Sequence, residues 1–200
     1  QITELPALRI LDLSNNNFSG VIPQSLDDLK ALSGTAKALD PDWDSPFDEI
    51  SENEGVSTLE RQSDDSLSVV IKGQVLDYKE NTVYLMSIDL SCNSLTGEIP
   101  EELSSLIGLI NLNLSSNLLS GNIPYNIGKL RLVESLDLSR NKLAGEIPKS
   151  LSDLTYLGYL NLSYNNLSGR IPTGHQLDIL KTDDSASMYI SNPSLCGHPV

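Results

Sequence analysis

Isoleucine–proline pairs fall at Ile99-Pro100, Ile123-Pro124, Ile147-Pro148 and Ile171-Pro172, and the prolines are 24 residues apart at every step. A fixed period of this length allows few architectures. Each unit is one supersecondary element too small to bury its own apolar face, so the units must stack. One template surrounds each pair: Ile88-Asp89-Leu90-Ser91-Cys92-Asn93-Ser94-Leu95-Thr96-Gly97-Glu98-Ile99-Pro100, recurring from Leu112, Leu136 and Leu160. A fifth copy, Leu11 to Pro23, stands apart. Pro23 and Pro100 are separated by 77 residues, one period plus 53, so an inserted segment interrupts the array.

Each template position has a physical task. Leu109, Leu112 and Leu114, with Leu157, Leu160 and Leu162, fit a short parallel strand whose leucines face a shared core while the residues between them face outward. Asn16, Asn93, Asn117, Asn141 and Asn165 share one phase, where a buried amide satisfies backbone groups of the adjoining turn. The glycine permits a tight bend, and Ile-Pro sets an extended return along the convex side. Leu103 with Leu106, and Leu151 with Leu154, close the core from that side.

The pattern Leu-x-x-Leu-x-Leu-Ser-x-Asn-x-Leu-x-Gly-x-Ile-Pro resembles the plant-specific class of leucine-rich repeats. The fold expected is an α/β-type repeat solenoid with a parallel β-sheet on its concave face and an inserted island segment. Residues 1–32 are read as one repeat, 33–83 as the island, 84–172 as four repeats and 173–200 as a C-terminal cap.

Within the insertion, Asp40 to Asp65 carries ten acidic residues against Arg61 alone, the composition of a solvated loop. No Asp-x-Asp-x-Asp-Gly calcium loop is present. Ser66 to Tyr78 alternates in a β-rich manner. An insertion ending in Lys72-Gly73-x-x-x-x-Tyr78 just before Ser87-Ile88-Asp89-Leu90-Ser91 resembles the island of plant receptor-like proteins and related receptor kinases, where it precedes the last four repeats. Tyr189 to Val200, with Cys196, resembles that family's C-terminal cap. Ser191 stands where the family more often has glycine. A second cap cysteine is absent, so Cys196 is read as half of a bridge whose partner lies outside the sequence. Polygalacturonase-inhibiting proteins share the repeat but lack the island.

Composition excludes other classes. A net charge of −14 repels nucleic-acid phosphates and anionic lipid headgroups. No run of 18 apolar residues spans a bilayer, so this chain is expected to make no membrane contact itself, although the resemblance implies a transmembrane helix in the full protein. Gln1-Ile2-Thr3-Glu4 has neither a basic region nor an apolar stretch, so the chain reads as a mature product or a piece of a longer one. His175 and His198 have no partners at ligand spacing, and neither metal nor cofactor is expected. No catalytic constellation is found. Cys92 and Cys196 lie several strands apart, roughly 15–20 Å, too far for a disulfide, and Cys92 is read as a free, partly buried thiol.

Asn-x-Ser sequons occur at Asn17, Asn113, Asn161 and Asn166, while Pro193 excludes Asn192. Asn17 and Asn166 share a loop phase. Asn113 and Asn161 share an outward strand phase, where sugars would shade the concave face. In that same strand phase Asp and Asn alternate across the last four repeats, which keeps like charges off adjacent strands. Tyr159 and Tyr164 on the last strand suit an interface or a place under the cap, and Arg140 adds an anchor. The resemblance implies an extracellular receptor at the plasma membrane, recognising a peptide or protein ligand and docking a co-receptor kinase ectodomain. Lys72, Gly73 and Tyr78 are carried over from the island motif. The alternative is a secreted inhibitor of microbial wall-degrading enzymes. Ice binding would need a regular threonine ladder that is missing. The edge around Leu5, Leu8 and Leu11 is expected to be open.

Overall fold

The computed structural model describes residues 4–5, 7–34, 67–71, 74–78, 85–180 and 187–197. Each 24-residue unit supplies one short strand to a parallel five-stranded sheet: β1 (Ile10–Asp12), β5 (Ser87–Asp89), β7 (Asn111–Asn113), β9 (Ser135–Asp137) and β11 (Tyr159–Asn161), in that spatial order. The register places Leu11, Ile88, Leu112, Leu136 and Leu160 opposite one another. The strands are three residues long because only the Leu-x-Leu part of the template alternates. β1 pairs directly with β5, so the long insertion leaves the stacking of the array unbroken.

A second set of parallel strands follows the asparagine. β2 (Ser19–Val21) pairs with β6 (Ser94–Thr96), and β8 (Ser120–Gly121), β10 (Lys142–Glu146), β12 (Asn166–Arg170) and β13 (Ser194–Cys196) form a four-stranded sheet. After each of the first four Ile-Pro pairs the chain turns into a short 3-10 helix: Gln24–Asp28, Glu101–Ser105, Ile127–Lys129 and Lys149–Asp153. Pro100, at φ −63° and ψ 138°, supplies the extended entry that its ring and missing N–H favour. Leucines and isoleucines of every repeat merge into one core running from Leu11 to Leu195.

The amide ladder is present. Asn117 Nδ2 donates to the Leu90 carbonyl at 2.9 Å, and its Oδ1 accepts from Leu95 N–H at 3.0 Å. Asn93, Asn141 and Asn165 repeat the pattern. Asn16, at the first repeat, is exposed and donates only within its own turn.

Within the insertion, β3 (Leu67–Ile71) and β4 (Gln74–Tyr78) form an antiparallel hairpin. Val69 and Ile71 bury against Leu85 and Ile10. Leu85 therefore leaves the main core for the hairpin, and Met86 enters the core in its place. A five-residue helix α1 (His175–Ile179) and a 3-10 turn (Ser187–Tyr189) close the far end, with Leu177 and Tyr189 buried.

Candidate binding surface

The first sheet presents two polar rows. In one, Asn111 Nδ2 donates to Ser87 Oγ at 2.9 Å. In the other, Asn113 Nδ2 donates to Asp89 Oδ2 at 3.0 Å and Asn161 Nδ2 to Asp137 Oδ2 at 3.4 Å, so the Asp–Asn alternation is a hydrogen-bonded ladder. Asp89 is 1% exposed and also accepts from Ser91 N–H at 2.9 Å. Burial pushes its carboxyl above the usual aspartate range. The Ser91 and Asn113 hydrogen bonds oppose that shift, and Asp12 on the neighbouring strand adds to it.

Where this strand ends, the chain must swing toward the second sheet, and one residue per repeat takes a left-handed conformation. These are Asn15, Cys92, Ser116, Arg140, Tyr164 and Ser191, with φ between 53° and 60°. Asparagine tolerates this region, whereas bulkier residues enter it at a cost. Arg140 and Tyr164 accept that cost on consecutive repeats, and the Arg140 guanidinium carbon lies 4.4 Å from the Tyr164 ring centroid. Both are exposed, Tyr164 at 44%. Beside them Tyr164 N–H donates to the Ile190 carbonyl of the cap, and Ile190 is 52% exposed.

The two tyrosines of the last repeat thus have different places. Tyr159 is half-buried, and its hydroxyl donates to Asp137 Oδ2 at 3.2 Å. Burial, then the Asp137 charge, raises its pKa. Tyr164 remains open to solvent. Under the cap sits a third tyrosine, Tyr189, whose hydroxyl is pushed up to about 12 by burial and by Asp178.

Lys72 and Gly73 lie outside the described residues, and Tyr78 ends β4. Asn17 and Asn166 are exposed, whereas Asn113 is buried with its amide engaged, so its phase does not stand clear in solvent as expected. Cys92 is exposed rather than partly buried, because its left-handed position projects it off the sheet. Cys196 is also exposed and free, its Sγ 3.3 Å from the Gly169 carbonyl.

Sequence reasoning missed Asn192. Its Nδ2 donates to the Leu162 carbonyl at 3.0 Å and its Oδ1 accepts from Leu167 N–H at 2.9 Å, which makes it the last rung of the amide ladder. The signal was present: Ser191-Asn192-x-x-Leu195-x-Gly197 is the repeat motif with one residue added. Ser191 occupies the left-handed position, which explains why glycine would also suit it. At the opposite end a hollow of about 490 Å³ opens, lined by Leu11, Phe18, Val21, Leu26, Asn93 and Leu95 among others. Leu5, Phe18 and Val21 are 52%, 48% and 65% exposed and Leu11 lines the hollow, so the open edge takes in Leu5 and Leu11 as expected and extends to Phe18 and Val21, while Leu8 is half-buried. Among the described residues no cluster of His, Cys, Asp and Glu is arranged to hold a metal ion.

A family model described as Leucine Rich Repeat matches residues 7–29, 84–106, 108–130, 132–154 and 156–176, more than half of the chain. The chain belongs to the leucine-rich repeat family. Several solved leucine-rich repeat structures are similar. The ectodomain of the plant membrane receptor kinase GASSHO1/SCHENGEN3 from Arabidopsis thaliana, in complex with CASPARIAN STRIP INTEGRITY FACTOR 2, is 33% identical with a TM-score of 0.67. That match covers 100% of this chain and 17% of that one. The BIR2 ectodomain from Arabidopsis thaliana is 28% identical with a TM-score of 0.59, covering 94% and 69%. The Arabidopsis receptor kinase HAESA, in complex with the peptide hormone IDA and the co-receptor SERK1, is 28% identical with a TM-score of 0.52, covering 99% and 27%. This leucine-rich repeat chain therefore spans a small part of the larger receptor ectodomains it matches. No curated protein sequence matches it at a significant level. Its structural neighbours are plant receptor ectodomains, and among the described residues no helix is long and apolar enough to cross a membrane.

Proposed function

We propose that this chain is part of the extracellular ectodomain of a plant cell-surface receptor that recognises a peptide or protein ligand and docks a co-receptor, in immune or developmental signalling. The observation that carries the reading is the Arg140–Tyr164 pair, held at the end of the concave sheet beside the cap. Arg and Tyr contribute more than other residues to interface energies, and a stacked guanidinium loses less freedom when it meets a partner. In an otherwise acidic chain, residues 125–172 hold six basic against four acidic side chains, which suits an acidic patch on the partner. The similar ectodomains named above, two of them crystallised with ligands, support the same partner kinds. Lys72, Gly73 and Tyr78 of the island are proposed to hold ligand and co-receptor together.

The test is a titration of the complete ectodomain against the SERK1 ectodomain, with and without Arg140→Glu, Tyr164→Ala and Lys72→Glu. Weakening by at least about tenfold, worth about 1.4 kcal/mol, is expected for the first two. Unchanged affinity in all three would remove this surface from the interface. Absence of any binding, with binding instead to a wall-degrading enzyme, would favour a secreted inhibitor.

A further inference from the structure

We infer that, of the four Asn-x-Ser sequences, Asn17 and Asn166 carry N-linked oligosaccharide in the folded protein and Asn113 and Asn161 do not. The inference rests on the extracellular reading above, because the modification belongs to the secretory route. Transfer forms a bond from sugar C1 to asparagine Nδ2 and breaks the C1–O bond to a lipid-linked diphosphate donor. The diphosphate leaves with the bonding pair, the amide gives up one proton, and nothing is oxidised or reduced. An unfolded chain offers all four sites, so the fold decides which modified chains can close.

The four amides fall into two geometries. Asn17 and Asn166 each lie one residue past a ladder asparagine, Asn16 and Asn165. Both are exposed, and neither side chain has a hydrogen-bond partner among the described residues. Asn113 is 8% exposed. Its Nδ2 donates to buried Asp89, and its Oδ1 accepts from Ser115 N–H and Oγ at 3.1 and 2.7 Å. Asn161 is half-buried, with Nδ2 directed at Asp137 Oδ2 and the Tyr159 hydroxyl, and Oδ1 accepting from Ser163 N–H and Oγ. A hexose on either Nδ2 is wider than the strand spacing of about 4.8 Å. On Asn113 it would also have to fit at a nitrogen that lies 3.0 Å from the buried Asp89 carboxylate and keeps a single N–H once modified.

The ladder asparagines are consistent with this division. None of the six begins an intact sequon, and Asn192, the one with serine two places on, is followed by Pro193. Amides that the core requires are thus withheld from modification. The arrangement also bears on docking. Asn166 opens β12 two residues past Tyr164, so a sugar there screens the Arg140–Tyr164 pair from the second-sheet side. Approach is left open across the bare concave ladder and the cap.

The test routes the protein through the secretory pathway of a plant cell and identifies glycopeptides of the folded, purified product by mass spectrometry. Sugar is expected on the peptides containing Asn17 and Asn166 alone. N17Q and N166Q should each abolish one glycan's gel shift, and N113Q should leave mobility unchanged. A sugar on Asn113 or Asn161 in the folded product, or a bare Asn17 or Asn166, overturns the inference. Locating the tagged full-length protein in its own cells is a separate measurement. An intracellular location would sink the extracellular reading without altering the occupancy result.

Discussion

Asp89 combines a structural duty with an electrostatic liability. Its Oδ1 caps Ser91 N–H and its Oδ2 receives Asn113, yet burial and the adjacent Asp12 disfavour its charge. With a folded-state pKa raised above the unfolded value, its favourable contribution is complete below the ordinary aspartate pKa of 3.8 and is lost as pH rises through the folded value. Asparagine at this phase, as at Asn113 and Asn161, removes the charge and keeps the acceptor for Ser91 N–H, but it turns an amide donor toward Asn113 Nδ2 in place of Oδ2. Asp89→Asn therefore gives up one hydrogen bond at every pH, but its melting temperature relative to the wild type is expected to rise from about pH 4 to neutral, because only the wild type must ionise. Paired melting curves across that range check this, and a variant that falls further behind the wild type as pH rises would contradict it. Asn117→Ala belongs to the same scale. It leaves the Leu90 and Leu95 backbone groups of the neighbouring repeat without their partner. The expected loss is about 3 kcal/mol, or roughly 6–12 °C in Tm, read by calorimetry.

Among the elements, the convex helices pack directly on one another, and Gly128 marks a place where they approach closely. A methyl group there would sit inside contact distance of the Ser150 carbonyl in the next helix, although the backbone conformation itself would accept any residue. Gly128→Ala should push Ile127–Lys129 away from Lys149–Asp153 and cost about 1–3 kcal/mol. Hydrogen exchange should locate the loosening in those two helices; protection equal to wild type would mean the stack has slack. The island hairpin is the second element of note. It docks through Val69 and Ile71 on Ile10 and Leu85, at the first two strands of the concave sheet. A candidate ligand-contacting segment is thereby fixed to the array by apolar burial.

For the whole molecule the asymmetry of its two ends matters most. One end is closed by a cap that imitates a repeat, down to the Asn192 rung and the left-handed Ser191. The other presents Phe18 and Val21 around an apolar hollow, and among the described residues no neighbouring N–H reaches Asn16 Oδ1 as it does in the other rungs. Stacked arrays need polar outer faces at both ends to remain soluble. The isolated 200-residue chain is expected to self-associate through this edge, with Phe18→Ser and Val21→Glu together shifting it toward monomer. Sedimentation equilibrium reads the outcome, and a monodisperse wild-type monomer would refute it.

The 24-residue period, the leucine phases and the amide ladder were legible from the sequence because each is local chemistry repeated: alternation along a strand, an amide at a turn, a proline at a return. The period also implied the stack, since no single unit buries its own leucines. What tertiary structure alone decided depends on neighbours that sequence spacing does not reveal. Leu85 and Met86 exchange duties because a hairpin from the insertion covers Ile10. Tyr159 is drawn into the ladder by Asp137 on the preceding strand, whereas Tyr164 is turned outward by a left-handed backbone and meets Arg140. Asn113 and Asn166 share the same three-residue motif, but only the packing around them separates a buried rung from a free amide. A repeated motif fixes position within the repeat; exposure and partnership are set by what the next turn of the solenoid places beside it.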